Sequence, residues 1–149
     1  KYENVRIGMT GRLDSMQAAV LDAKLDIFEE ELALRQIVAD RYQKLIGDIV
    51  DAPQLASGAT SSWAQYCIKL PQTGIREHVI KHLSSRGVPT AIYYPIPMHQ
   101  QPPYRGFPQS QCGLGITLDL CRRVLALPMH PYLDETQQKF IAVELRKAL

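Results

Sequence analysis

WAQYCIKLPQTGIREHVIKHLSSRGVPTAIYY, residues 63–94, decides the fold. Its first eight residues alternate, with Tyr66, Ile68 and Leu70 on one face and Gln65, Cys67 and Lys69 on the other. That period of two marks a half-buried strand. Pro71-Gln72-Thr73-Gly74 turns the chain. Ile75–Arg86 reads as an amphipathic helix stopped by Gly87, and Val88–Tyr93 as a second strand. Together they predict a β-α-β unit.

Upstream, residues 12–47 carry the longest helical pattern. Leu13, Met16, Val20, Ala23, Ile27, Leu34, Val38, Tyr42 and Leu45 recur at spacings of three and four, one apolar stripe. Asp14 or Thr10 suits the N-cap, and Gln17 stands in capping-box spacing from Asp14. Gly47 is the expected stop. Such a length is unusual for a globular helix, so a bend or break is expected near Asp26–Glu31. The acidic run Glu29-Glu30-Glu31 reads as a solvated face. Residues 51–62 (DAPQLASGATSS) form a turn-rich connector.

Downstream, Leu118–Leu127 reads as a helix with Leu118, Cys121 and Leu125 inward. Pro128-Met129-His130-Pro131 makes a rigid turn, and Asp134 caps a last helix, Glu135–Leu149. The expected fold class is α+β: a long leading helix, then a small sheet covered by helices on one side.

A chain of 149 residues is one domain, or one domain with appendages, and long enough to bury a core. Its 46% hydrophobic and 21% charged residues match ordinary globular chains rather than disordered ones. A net charge of +2 with the signs interspersed provides no footprint for nucleic acid or an anionic membrane. No apolar run nears the roughly 20 residues of a membrane span, and no signal-peptide pattern opens the chain, so a cytoplasmic location is expected. Cys67, Cys112 and Cys121 share no CxxC spacing and read as reduced, packed as small hydrophobes. The opening KYENVRIG lacks an initiator Met and starts in mid-pattern, as a piece of a longer chain does.

No Gly-x-Ser-x-Gly, phosphate-cradling glycine loop or HExxH occurs. His78 and His82 share a helix face at metal-clasp spacing. Arg76 and Lys81 beside them oppose a cation, and no third ligand stands at a recognisable spacing. His99, Cys112, Cys121 and His130 are too irregularly spaced to define a site, so no metal is expected. Arg12 lies in Gly8-Met9-Thr10-Gly11-Arg12-Leu13-Asp14, where glycines and a helix N-terminus suit an anion. The alternative is an Arg12–Asp14 surface pair beside an ordinary cap. TAIYYPIPMHQQPPY (90–104) sets Tyr93, Tyr94 and His99 on a loop with four prolines in nine residues. Prolines hold the flat rings still at little entropic cost on binding; the alternative is a loop packed on its own domain. From the residues alone, the chain shows a binding surface without a reaction.

Three blocks carry a resemblance. GMTGRLDSMQAAVLDAKLDIFEEELALRQ resembles the Gly-x-Asn-x-Arg-Leu-Asp-x-x-Gln-Ala-Ala segment of the DegT/DnrJ/EryC1/StrS sugar aminotransferases. VPTAIYYPIPMHQQPPY is similar to that family's Gly-Ile-x-Thr-x-x-His-Tyr-Pro-x-Pro-Leu-His-x-Gln-Pro loop, and LALPMHPYLDETQ to its Leu-Pro-Met-x-Pro-x-Leu closing motif. Their order and spacing agree over essentially the whole chain.

The resemblance implies the C-terminal small domain, with its leading helix, of a pyridoxal-phosphate enzyme of the aspartate-aminotransferase fold. Residues 1–50 would lead from a large domain, and residues 51–149 would form the small α/β domain. It implies a homodimer that moves an amino group, usually from glutamate, onto a nucleotide-linked keto-sugar. The wording is most similar to members that aminate a UDP-linked 3-keto-N-acetylglucosaminuronic acid for surface polysaccharide. Thr10 and Arg12 would reach the cofactor, and Arg12 the substrate too, with Thr10 standing where the family has Asn. Tyr93 (where the family has His), Tyr94 and His99 would wall the sugar site. The Schiff-base lysine lies upstream in the family, and no lysine here matches its motif. Two alternatives stay open: a sugar dehydratase of the same family using pyridoxamine phosphate, and a stand-alone binding module.

Overall fold

The computed structural model describes residues 3–9 and 11–149. Helix α1 (Ser15–Leu25) is capped by Asp14, whose carboxylate accepts the Met16 N–H at 3.0 Å. Gln17 does not complete a capping box. After a break at Asp26 and Ile27, α2 (Phe28–Ile46) runs to the expected Gly47 cap.

Strand β1 (Tyr66–Lys69) pairs antiparallel with β2 (Val124–Leu127), in the register Tyr66↔Leu127 and Ile68↔Leu125. Helix α3 (Arg76–Ser85) follows β1 and closes at Gly87, at φ +76°. There the N–H groups of Gly87 and Val88 bond the carbonyls of Ser84 and Leu83, a Schellman closure that needs the left-handed residue. Helix α4 (Gly115–Arg123) runs straight into β2. Helix α5 (Glu135–Ala148) starts on a full capping box between Asp134 and Gln137.

The core gathers Val38, Tyr42 and Ile46 of α2, Tyr66 and Ile68 of β1, Val79 and Leu83 of α3, Leu125 of β2, and Ile141 and Leu145 of α5. Helix α5 packs on both α2 and α3, so the helices back one face of the short sheet.

Several expectations are corrected. The β-α-β unit is absent, because residues 88–93 form no strand. Only Ala91 pairs, antiparallel, with Ala126. The Val88 N–H is already held by Leu83, and Pro89 has none to offer. The helix expected to Leu127 ends at Arg123. Arg123 donates to the carbonyls of Leu70 and Pro71 and pairs with Asp119, which fixes the exit from α4 into β2. The stripe of the leading helix splits: Val38 and Tyr42 are buried, whereas Leu13, Met16 and Val20 are exposed. Glu31 leaves the solvated face, accepting the Tyr132 hydroxyl at 2.9 Å. No helix among the described residues is long and apolar enough to cross a membrane.

Candidate functional site

Four prolines shape the loop beyond Ala91. Pro95, Pro97, Pro102 and Pro103 remove N–H donors, so the chain leaves the sheet and coils into two 3-10 turns, Met98–Gln100 and Pro102–Tyr104. The remaining donors bond locally. Gln100 N–H reaches the Pro97 carbonyl at 2.9 Å, Gln101 N–H that of Met98 at 3.0 Å, and Tyr104 N–H that of Gln101 at 2.9 Å.

Tyr94 sits at φ +55° with its residue 70% exposed. A non-glycine residue in the left-handed region costs on the order of 1–3 kcal/mol, and such strain clusters at functional positions. The loop therefore presents this ring to solvent in a conformation that burial does not explain.

Tyr93 is half-buried and lines a cleft of about 220 Å³ with Ala126, Pro128 and Met129. His99, also half-buried, lines a separate cleft of about 640 Å³ with Glu3, Gln101 and Arg105. The Arg105 Nε–H donates to the Gln100 carbonyl at 3.1 Å, which steadies the base of its guanidinium. The leading segment reaches the loop through the Asn4 N–H, donated to the Gln101 side-chain oxygen at 2.9 Å.

Arg12 has its side chain 80% exposed and stands 3.4 Å from Asp14, an exposed surface pair. Thr10 lies outside the described residues. The structure thus gathers His99, Arg105 and Glu3 at one cleft and Tyr93 at another, with Tyr94 and Arg12 open to solvent.

The remaining candidates disperse. His78 is exposed, and the Nε2–H of His82 is engaged by Glu144 at 2.9 Å. Among the described residues, no group of three or more His, Cys, Asp and Glu is placed to hold a metal. The cysteines are not the buried small hydrophobes expected: Cys112 is exposed against Ser110, and Cys67 and Cys121 are half-buried. Glu3 and Arg105 stand in no motif, and Gln101 matches the Gln of the family's proline loop without a role assigned to it. The available signal was the amide pair Gln100-Gln101, polar side chains set between prolines in an otherwise apolar and aromatic stretch.

The sequence pattern of the DegT/DnrJ/EryC1/StrS aminotransferase family matches residues 1–146. The chain belongs to this family. A relative from Pseudomonas aeruginosa, UDP-2-acetamido-2-deoxy-3-oxo-D-glucuronate aminotransferase, is 39% identical over 146 residues. Those residues cover 97% of this chain and 39% of the relative. A crystal structure of a family aminotransferase from Brucella abortus, 41% identical, superposes at a TM-score of 0.84, covering 99% of this chain and 39% of that one. DesV of Streptomyces venezuelae, solved in complex with a ketimine intermediate, is 28% identical at a TM-score of 0.79, with the same coverages. The chain therefore spans about two fifths of the length of these relatives, and the fold is that of family aminotransferases.

The residues present do not form a complete cradle for the family's cofactor. Neither the Tyr93 nor the His99 cleft is lined by a lysine, and Arg12, which the resemblance brings to the cofactor, stands in solvent beside Asp14.

Proposed function

We propose that this chain is the C-terminal part of a pyridoxal-phosphate aminotransferase. The parent moves an amino group from glutamate to UDP-2-acetamido-2-deoxy-3-keto-glucuronate, in the cytoplasm, for surface polysaccharide synthesis. The observation that carries this is the 39% identity to the Pseudomonas aeruginosa relative over nearly the whole chain. The cofactor assignment draws support from the family match and from the ketimine complex of DesV.

Within that parent, residues 1–50 lead from the large domain and residues 51–149 form the small one, with α2 packed onto it. The large domain supplies the Schiff-base lysine and the chemistry. This chain supplies walls and contacts. Tyr93, Tyr94 and His99 face the sugar, with Tyr94 held out by its strained backbone. Thr10 and Arg12 reach the cofactor and substrate region of the second subunit of a homodimer. The exposure of Arg12 suits such a reach, since an exposed guanidinium can pair with a phosphate or carboxylate brought to it.

The test is amino transfer by the full-length gene product, loaded with pyridoxal phosphate and supplied with glutamate and the UDP-linked keto-sugar. Formation of 2-oxoglutarate together with the UDP-linked amino sugar is expected. A product dehydrated at the sugar ring, with no 2-oxoglutarate, would replace this function with the dehydratase of the same family. Failure of the protein to take up the cofactor would overturn both.

A further inference from the structure

Gln101 is 2% exposed, whereas Gln100 and Pro102 on either side are open to solvent. A buried carboxamide is costly unless its oxygen and nitrogen are both bonded. Here the oxygen accepts the Asn4 N–H at 2.9 Å, from a residue 97 positions away, and the nitrogen donates to the Ile96 carbonyl at 3.4 Å. The main chain of Gln101 joins the two 3-10 turns, donating to Met98 and accepting from Tyr104. One residue thus fastens the leading segment, the start of the proline loop, and the turn that carries His99.

We propose that Gln101 is a positioning residue. Its carboxamide holds the leading segment, which continues to Thr10 and Arg12, against the loop that carries Tyr94 and His99. The loop then meets the nucleotide sugar preformed, with the cost of ordering it already met in folding. Its side chain points inward to Asn4 and Ile96, so it acts on the sugar through His99 rather than by touching it. This rests on the sugar-wall role proposed above for the loop.

The experiment uses two variants of the full-length protein. Gln101→Met keeps the length of the side chain and removes its hydrogen bonds. Gln101→Glu, once protonated, offers one donor and one acceptor as the carboxamide does. In Gln101→Met, hydrogen exchange over residues 3–9 and 96–101 is expected to quicken roughly tenfold, with α3 and α5 unchanged. The KM for the UDP-sugar should rise about tenfold while that for glutamate stays level. In Gln101→Glu, the sugar KM relative to the unmodified protein should fall back toward unity as pH drops from about 8 to about 5, because burial raises the carboxyl's proton affinity so that it takes up its proton within that range.

Unchanged exchange over residues 3–9 in Gln101→Met overturns the link, whatever the enzyme does. Faster exchange with both KM values level, or both raised alike, overturns the positioning role and leaves a structural staple. If the unmodified protein transfers no amino group, the function proposed above fails instead. Exchange, and the roughly tenfold loss of UDP-sugar affinity expected by calorimetry in Gln101→Met, then still decide the role of Gln101.

Discussion

The Nε2–H of His82, on α3, donates to a carboxylate oxygen of Glu144, on α5, at 2.9 Å. Glu144 is 2% exposed and also draws Lys147 at 2.7 Å and Arg86 at 3.3 Å. A charge so enclosed persists only with such partners. They tie together the two helices that back the sheet.

That cluster sets a pH dependence. The hydrogen bond from Lys147, then that from His82 and the charge of Arg86, hold the Glu144 carboxyl below the usual glutamate value of 4.5, with burial acting the other way. A carboxyl whose proton affinity is lower when folded stabilises the fold in full above its unfolded value. That contribution is lost as pH falls through the folded one. Exchange of the α3 and α5 amides should therefore speed up as pH drops below about 4.5, after correction for the intrinsic rate. Glu144→Gln should blunt this acceleration. An identical acceleration in the variant would locate the acid sensitivity elsewhere.

Tyr94 predicts a split between stability and activity. Glycine accepts φ +55° without penalty, so Tyr94→Gly should leave stability unchanged or raise it by up to about 1 kcal/mol. The same change should lower kcat/KM for the sugar by about tenfold or more. A variant with undiminished kcat/KM would remove Tyr94 from the sugar wall.

Arg12 and Asp14 should separate cleanly. An exposed pair such as theirs contributes about 0–1 kcal/mol, so Arg12→Ala should shift stability by less than about 0.5 kcal/mol. Sugar turnover should still fall at least roughly tenfold. Asp14→Ala instead removes the cap of α1 and should cost about 1 kcal/mol. Equal turnover in Arg12→Ala and the unmodified protein would refute its assigned contact.

Leu125 tests the strand that replaced the end of a helix. It is fully buried opposite Ile68, and Leu125→Ala should cost about 2–5 kcal/mol by leaving a cavity. Ile116, 81% exposed on α4, should tolerate alanine within about 0.5 kcal/mol. Equal losses at the two positions would contradict the observed burial.

What could be read from the chain followed from local chemistry. The alternation of Tyr66, Ile68 and Leu70, the Gly87 stop, the Asp14 and Asp134 caps and the break after Leu25 each depend on a few neighbouring residues, and each is present. Pairing between distant residues was not legible. Val124-Leu125-Ala126-Leu127 carries no period that separates helix from strand, and only β1, far earlier in sequence, makes it extended. The apolar spacing of α1 resembles that of α2, yet none of its residues is buried, because spacing reports a face and not what covers it. Tyr94 and His99 were visible as residue types on a stiff loop. The fastening of that loop through Gln101 depends on Asn4, 97 residues earlier in the sequence.

The single bridges at either side of the sheet have a consequence for association. The outer edge of β1 is occupied at Lys69 by Asp51, and that of β2 at Ala126 by Ala91. Each bridge ends within two residues of a proline, Pro53 beyond Asp51 and Pro89 before Ala91. An apolar strand with a free edge is a template on which foreign strands can add. In this protein each edge is closed by one residue pair, and the neighbouring prolines deny a newcomer the ladder it would extend.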